Sequence, residues 1–284
     1  MKILYLTKGD HVDYQDDCLF IGLRELFGAD VIDYNKRAHN YSSYNEEAAK
    51  KLYGMGMSVT RVLPEIEIDR TDITSKIKSK YFDYVVYSSI WRCNDYIQKI
   101  LEYYPKNKII AVDGEDETHI NVAFDLGIPY FKRELIYKHK RLFPISFAIP
   151  TSKVNFVKTK TRDTAICDPR DKSTYIYNNE TDYYKGYQEA RFAFTVKKAG
   201  WDCMRHYEIL ANGCIPHFIH LANCPELTMT SFPKQLCLEA NSVLKTQNLE
   251  TVYGMFVDRI ETHFSNNNTT KSLAKQFINT INSL

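Results

Sequence analysis

One short segment places a cation and a carboxylate on the same face of a predicted helix. Arg205 and Glu208 are three residues apart in the run Cys203–Asn212, and residues at this spacing are neighbours on a helix surface. The apolar side chains of the run form a second face that predicts packing into a core: Met204, Tyr207, Leu210 and Ala211. The charged pair is either an ion pair on an exposed face or part of a site for a ligand with anionic and hydroxyl groups.

The residues before this helix favour the ligand site. Lys197, Lys198 and Gly200 lead into its first turn, where free N–H groups and the positive end of the helix dipole suit a phosphate. Arg205 opposes that dipole and needs a compensating anion. We therefore expect Lys197, Lys198 and Arg205 to hold a diphosphate and Glu208 to accept hydrogen bonds from sugar hydroxyls.

The surroundings of the helix give further expectations. Gly213 suits a left-handed position that ends the helix, and Pro216 suits an edge strand or a strand end. Arg170 precedes the helix in the segment Asp168–Arg170 and is a further candidate for the phosphate pocket. His206 is adjacent to the charged pair in sequence but lies on another face, so it contacts either the ligand or only its neighbours.

The segment from Lys197 to Pro216 resembles the donor-binding region of GT-B glycosyltransferases, closest to the exostosin-like and CgeB-like groups (glycosyltransferase family 1-like). The likeness lies in the spacing R-x-x-E-x-x-x-x-G-x-x-P, which covers Arg205, Glu208, Gly213 and Pro216. It implies two Rossmann-like lobes with a cleft between them. The donor would be a nucleotide-diphosphate sugar, such as a UDP or GDP sugar, held by the C-terminal lobe, with a glycan acceptor on the N-terminal lobe. Glu208 would bind ribose or sugar hydroxyls, while Arg205 with Lys197 or Lys198 would neutralise the diphosphate.

An acidic cluster supplies candidate bases for such a transfer. Asp113 and Asp116 follow the buried-strand run IIAV within the sequence DGEDE, and His119 comes three residues later. Residues beyond the carboxyl end of a parallel strand face the ligand crevice, and mutual repulsion can turn one carboxylate into a general base. Asp113 and Asp116 are the first candidates and His119 the next. The alternative is a solvated acidic turn that caps a helix beginning at His119.

The same cluster supports a different enzyme class. Asp113 and Glu115 form an acidic-x-acidic pair at a strand end, as in metal-dependent GT-A glycosyltransferases, where manganese or magnesium would bridge carboxylate and diphosphate. That interpretation gives the Arg205–Glu208 helix no role, so we expect no metal and no cofactor besides the donor substrate. A non-catalytic module that binds a nucleotide or a glycan is a third interpretation.

The first strand leads into another candidate site. The run Thr7–Asp17 contains Gly9, which permits a tight turn, and Asp10, a further candidate base. Asp13 or Asp16 would equally serve as the N-cap of the first helix. The run Tyr53–Met57 (YGMGM) is a glycine loop that could border the acceptor site. The turn after the first strand lacks G-x-G-x-x-G, which disfavours a nicotinamide dehydrogenase.

Composition excludes several other classes. The net charge of the 284 residues is +2 without a long basic run, which disfavours a nucleic-acid partner. No apolar stretch approaches the roughly 20 residues that span a bilayer, and the apolar run at the N-terminus is too short for a signal peptide. The seven cysteines have no C-x-x-C spacing, so neither zinc nor a disulfide framework is expected. We expect a cytoplasmic enzyme of surface-polysaccharide or glycoprotein-glycan synthesis, and the sequence gives no indication of its oligomeric state.

The elements that must position these residues alternate between strands and helices. This pattern predicts an α/β protein with parallel sheets, divided into an N-terminal acceptor lobe, 1–148, and a C-terminal donor lobe, 149–284, that ends in closing helices. The predicted strands are 3–6, 31–32, 84–88, 109–112, 129–131, 192–195 and 215–218. The predicted helices are 18–26, 72–80, 96–103, 119–126, 180–190, 203–212, 246–262 and 268–282.

Overall fold

The computed structural model describes residues 1–9, 11–243 and 249–284. Its first sheet contains, among these residues, six parallel strands in the order β2-β1-β3-β4-β5-β6. The central strands are continuous apolar runs buried along their whole length, as expected for strands covered on both faces. The strands are β1 (Ile3–Leu6), β2 (Val31–Tyr34), β3 (Tyr84–Tyr87), β4 (Ile109–Asp113), β5 (Tyr130–Lys132) and β6 (Leu142–Pro144).

The second sheet is smaller and is also parallel. Its order is β7-β8-β9, with β7 (Arg162–Thr164), β8 (Ala190–Thr195) and β9 (Ile215–Phe218). The predicted α/β class with two parallel sheets is therefore confirmed. Pro216 lies on the edge strand β9, as predicted. We call the part of the chain that builds the first sheet the first unit and the part that builds the second sheet the second unit.

Helices connect and cover these strands. In the first unit they are α1 (Tyr14–Phe27), α2 (Glu46–Ala49), α3 (Ile73–Lys78) and α4 (Ile97–Tyr103). After β7 they are α5 (Glu180–Gln188), α6 (Met204–Ala211), α7 (Lys234–Val243), α8 (Leu249–Asn267) and α9 (Thr270–Asn282). None of the described helices is both long and apolar enough to cross a bilayer.

Some element predictions were wrong or incomplete. The predicted helix 119–126 is only a short 3-10 helix, Val122–Leu126. It begins late because the Asn121 side chain caps it by accepting the N–H of Ala123, and it ends at Gly127, which has a φ of 79°. Strands β6 and β7 have three residues each, too few to show a period, and neither they nor α7 was predicted. Residues 246–248 of the predicted helix 246–262 lie outside the described part of the chain.

The last helix returns to the first unit. Helix α9 packs along α1, and a Cβ on Gly22 of α1 would lie 1.9 Å from the carbonyl oxygen of Thr270. Ile149 joins the same place, since its N–H donates to Asn268 and its carbonyl accepts from Thr270. One apolar cluster extends from Leu19 in α1 to Phe277 in α9 and includes side chains of α6. The division of the chain at residue 148 remains a prediction, and α9, assigned to the second lobe, contacts the first unit.

Candidate functional site

Helix α6 is held firmly at both ends. Gly213 follows its last turn at a φ of 66°, and a Cβ there would lie 2.9 Å from the carbonyl oxygen of Val157, so glycine ends the helix as predicted. At the other end, Glu134 accepts the N–H groups of Trp201 at 2.9 Å and Asp202 at 2.8 Å. A carboxylate of the first unit thus already uses two of the backbone donors that we expected near the phosphate.

Histidine 206 belongs to the core and not to a ligand site. It is fully buried, its Nδ1 lies 2.8 Å from the Thr195 hydroxyl, and its Nε2 lies 3.0 Å from the Trp201 carbonyl. A carbonyl can only accept, so Nε2 carries the proton and Nδ1 accepts from Thr195. Burial lowers the pKa of His206 to about 3. His206 therefore contacts only its neighbours and fixes the start of α6 against β8.

A cavity of about 340 Å³ lies against α6, and both Arg205 and Glu208 line it. The two residues form no ion pair within 4.0 Å, and Glu208 is only 7% exposed, so the alternative of an exposed surface pair was wrong. The first unit contributes the opposite wall. The other lining residues are Tyr14, Tyr53, Gly54, Met55, Met57, Cys167, Tyr175, Tyr177, Tyr183, Cys203 and Met204.

Arg205 is a partly buried cation with no carboxylate within 4.0 Å in the described part of the chain. Its Nη2 donates to the Tyr175 hydroxyl at 2.9 Å, and the guanidinium lies 5.3 Å from the centre of that ring. Its Nε and Nη1 are buried and have no hydrogen-bond partner. Unsatisfied donors of a buried charge are costly, and a bidentate anion would satisfy both of them. The arrangement is chemically suited to a phosphate or a carboxylate.

Glu208 supplies acceptors to the same cavity. Its carboxylate accepts from the Ser58 hydroxyl of the first unit and, at 2.8 Å, from the Tyr183 hydroxyl. Burial raises the pKa of Glu208, and the hydrogen bonds from Ser58 and Tyr183 oppose that rise. Both observed partners are hydroxyl groups, which is the chemistry expected of a carboxylate that recognises a sugar.

The other predicted phosphate ligands lie outside the cavity lining. Lys198 donates to the Pro169 carbonyl at 3.2 Å, and Lys197 lies 5.4 Å from the ring centre of Trp201. Arg170 is paired with Asp168, with Nε donating to both carboxylate oxygens at 2.9 and 3.0 Å. These three cations follow the carboxyl ends of β7 and β8, the same edge of the sheet as Arg205, but none of them lines the cavity.

The acidic cluster is neutralised by cations that the sequence interpretation left out. Asp113 is fully buried and pairs with Lys132 at 2.9 Å, while Asp116 pairs with Arg133. Glu115 pairs with Arg92. The repulsion expected among these carboxylates is therefore offset by a positive partner for each.

Asp113 is buried, pairs with Lys132 and accepts from the Tyr130 hydroxyl, so both of its carboxylate oxygens are already in use within the first unit. Asp116 and His119 are exposed, and the ring of His119 lies edge-on to Trp91 at 5.3 Å. Among the described residues, no group of three or more His, Cys, Asp or Glu side chains is arranged to hold a metal ion.

The first helix brings the first unit to the cavity. Asp13 is its N-cap and accepts the N–H groups of Gln15 at 3.1 Å and Asp16 at 3.2 Å, which confirms the capping alternative. Tyr14, the next residue, lines the cavity. Asp10, the remaining predicted base, lies outside the described residues.

Sequence reasoning missed the hydroxyl groups of this site. Ser58 and Tyr183 bind Glu208, and Tyr175 binds Arg205. The available signal was the density of tyrosines between 175 and 187, which contains five of the 21 in the chain.

Comparisons with known proteins give a fold-level likeness only. No protein-family model matches this sequence, and no curated protein is similar to it in sequence. Among solved structures, Anabaena HepE in complex with UDP and glucose, and the same protein in complex with UDP-glucose, are similar over 100% of both chains. Each comparison has 10% sequence identity and a TM-score of 0.49. A likeness of this degree assigns neither a ligand nor an activity to the present chain.

Proposed function

We propose that this protein is a glycosyltransferase that moves a sugar from a nucleotide-diphosphate sugar to a hydroxyl of a glycan acceptor. The observation that carries the proposal is a guanidinium with two buried and unsatisfied donor atoms, Nε and Nη1 of Arg205, beside a hydroxyl-binding carboxylate, Glu208, on one wall of a cavity. A diphosphate and a polyhydroxylated ring joined together match these two groups. We propose UDP or GDP as the nucleotide and a polysaccharide or a protein-linked glycan as the acceptor.

In the proposed reaction, Arg205 stabilises the negative charge that develops on the departing diphosphate. A guanidinium fixed in a cavity with little water is more effective at this than one in solvent. Because the protein itself supplies the positive charge, we propose that transfer does not require a divalent metal. Glu208 holds the donor through its hydroxyls, so that the anomeric carbon faces the first unit.

The acceptor would lie on the first-unit side of the cavity, where Tyr14 and Tyr53 form the wall. Aromatic rings offer an apolar face to a sugar and a hydroxyl to its edge. The acceptor hydroxyl must pass its proton to a base, and the candidates Asp116 and His119, although exposed on this unit, do not line the cavity. Closure of the two units around the substrates would exclude water and limit hydrolysis of the donor.

Ligand binding followed by turnover tests the proposal. Thermal shift with UDP, GDP, ADP and CMP identifies the nucleotide, since a ligand at 100 times its dissociation constant stabilises a protein by about 2.7 kcal/mol. We expect a shift with at least one nucleoside diphosphate and none with CMP. Turnover of the matching nucleotide sugar, with or without acceptor, distinguishes an enzyme from a binding module.

The metal-dependent alternative is tested in the same assays. We expect Mn²⁺ to leave the thermal shift unchanged and EDTA to leave turnover unchanged. Loss of turnover with EDTA and its recovery with Mn²⁺ would instead favour the pair Asp113 and Glu115. Absence of any shift and of any turnover would overturn the proposed function.

A further inference from the structure

A loop of the first unit closes the cavity over α6. Within this segment, residues 53–58, the side chains of Tyr53, Met55 and Met57 line the cavity. We call it the 53–58 loop. Met55 and Ser58 have φ values of 57° and 69°, a left-handed conformation that side-chain-bearing residues adopt at a cost. Such a conformation persists only where contacts fix it, and the contacts here converge on Ser58.

Ser58 is 1% exposed and is held entirely by the second unit. Its N–H donates to the Glu180 carboxylate at 2.6 Å, and its Oγ lies 2.8 Å from the Tyr184 hydroxyl. The same Oγ donates its single proton to Glu208, so Tyr184 is the donor in the other contact. Helices α5 and α6 thus hold the loop through one residue, Ser58, whose hydroxyl contacts both helices and whose N–H bonds to α5.

The hydrogen bond from Ser58 to Glu208 occupies the carboxylate that, in the proposed function, accepts hydrogen bonds from the donor sugar. A serine hydroxyl donating to a buried carboxylate has the chemistry of a sugar hydroxyl donating to it. Tyr183 bonds to the other oxygen of Glu208, so Ser58 occupies one oxygen and Tyr183 the second. The guanidinium atoms Nε and Nη1 of Arg205, on the same cavity wall, are buried and have no hydrogen-bond partner.

We infer that Ser58 is an internal competitor for the donor. Its hydroxyl occupies the position on Glu208 that a donor hydroxyl takes, and the 53–58 loop moves aside when the donor displaces it. Ser58 thereby sets the affinity for the donor, and the exchange of one hydroxyl for another links donor binding to the loop that borders the acceptor side. This inference rests on the proposed function of Glu208.

Binding of nucleotide sugars to Ser58→Ala tests the inference, with UDP-glucose and GDP-mannose as probes. Removing the competing hydroxyl is expected to lower the dissociation constant of the bound probe at least fivefold. Ser58→Gly is a second variant, because glycine adopts a positive φ without strain and so guards against a folding defect of the alanine variant. Ser79→Ala, at an exposed helix end, is the matched serine control and should change nothing.

A second comparison tests whether Ser58 changes the affinity for the donor through Glu208. In a Glu208→Ala background, where no competition remains, Ser58→Ala should change the dissociation constant less than twofold. Amide hydrogen exchange of residues 54–57 without ligand should be faster in Ser58→Ala than in the wild type, because the loop has lost its contact with α6.

Two outcomes would overturn the inference that Ser58 competes with the donor, and only the second would also overturn the proposed function. If a probe binds the wild type and Ser58→Ala leaves its affinity unchanged or weakens it, Ser58 positions Glu208 and does not compete with the donor. If neither probe binds any of the proteins, the proposed function fails and the inference fails with it.

Discussion

At the scale of single residues, the most informative feature is that Arg205 pairs with no carboxylate of the described chain and has two donors without a partner. Most buried arginines of the chain have carboxylates within reach, as Arg37 has in Asp16 and Asp17. Arg205 instead lies against Tyr175, whose ring centre is 5.3 Å from the guanidinium and whose hydroxyl accepts from Nη2, and this contact leaves Nε and Nη1 without a partner. An enzyme that must bind an anion gains from this arrangement, since no internal carboxylate has to be displaced.

Arg205→Gln should therefore separate binding from stability. We expect the dissociation constant for the nucleoside diphosphate to rise about 10-fold to 100-fold, from the loss of a charged hydrogen-bonding group worth about 1.5–3 kcal/mol. The melting temperature without ligand should stay equal or rise, because an unpaired buried charge has been removed. Thermal shift and calorimetric titration measure both quantities. Arg170→Gln, at an exposed and paired arginine, is the control, and an equal loss of affinity there would argue against a special role for Arg205.

Glu208→Ala should abolish transfer while leaving the fold intact. The substitution removes an acceptor of the proposed donor site, while Ser58 keeps its contact with Tyr184 and Tyr183 keeps its contact with Tyr187. Circular dichroism should match the wild type, while initial rates of sugar transfer fall below detection. Transfer at close to the wild-type rate would contradict the assignment of the donor site.

At the scale of elements, the sequence predicted the parts that local chemistry determines. Helix α6 was predicted within one residue at each end, because its apolar spacing and Gly213 act locally. The cations that neutralise Asp113 and Asp116 are Lys132 and Arg133 on the neighbouring strand, and pairing between strands leaves no local pattern.

The contact between Ser58 and Glu208 is another that no local sequence pattern predicts. Ser58 lies 150 residues from Glu208 in sequence, in a loop with left-handed residues that resemble any turn. The helix that carries Arg205 and Glu208 and the glycine run Tyr53–Met57 could thus be found from sequence, whereas the contact between Ser58 and Glu208 required the fold.

The contact between α1 and α9 gives a prediction about packing. Gly22→Ala would place a methyl group 1.9 Å from a backbone oxygen of α9, so the helices must separate, and we expect a loss of about 1–3 kcal/mol of unfolding free energy. Gly254→Ala in α8 is the matched control, since no atom lies within 4 Å of the added group, and it should gain about 0.5–1 kcal/mol from helix propensity. Urea denaturation measures both. A neutral Gly22→Ala would show that α9 does not pack closely on α1.

At the scale of the whole molecule, the two units share one core, and ionisable groups are buried at their junction. Asp202 lies between them, with its carboxylate accepting the N–H of Phe147 from the first unit at 3.0 Å and its own N–H bonded to Glu134. Burial raises the pKa of Asp202 to about 7, partly opposed by Arg133. His206, four residues later, has its pKa lowered to about 3. Global stability therefore depends on pH through two groups of opposite sign.

The signs follow from proton counting. Between pH 7 and 4 the folded state binds a proton at Asp202 that the unfolded state does not, so this group stabilises the fold as the pH falls. Below pH 6.5 the unfolded state protonates His206 while the folded state does not, so this group destabilises the fold as the pH falls. Each contributes a slope of about 1.4 kcal/mol per pH unit, and from pH 6.5 to 4 the two should nearly cancel.

Single substitutions at these positions should reveal how each group alone changes the free energy of unfolding with pH. Asp202→Asn should be more stable than the wild type at pH 8, and that difference in unfolding free energy should shrink by about 1.4 kcal/mol per pH unit between pH 7 and 5.

His206→Gln, whose amide can still donate to the Trp201 carbonyl, should become more stable relative to the wild type by about 1.4 kcal/mol for each pH unit below pH 6.5. Urea denaturation at pH 5, 6, 7 and 8 measures these differences. Profiles parallel to that of the wild type would mean that neither group is held in the protonation state that its burial imposes.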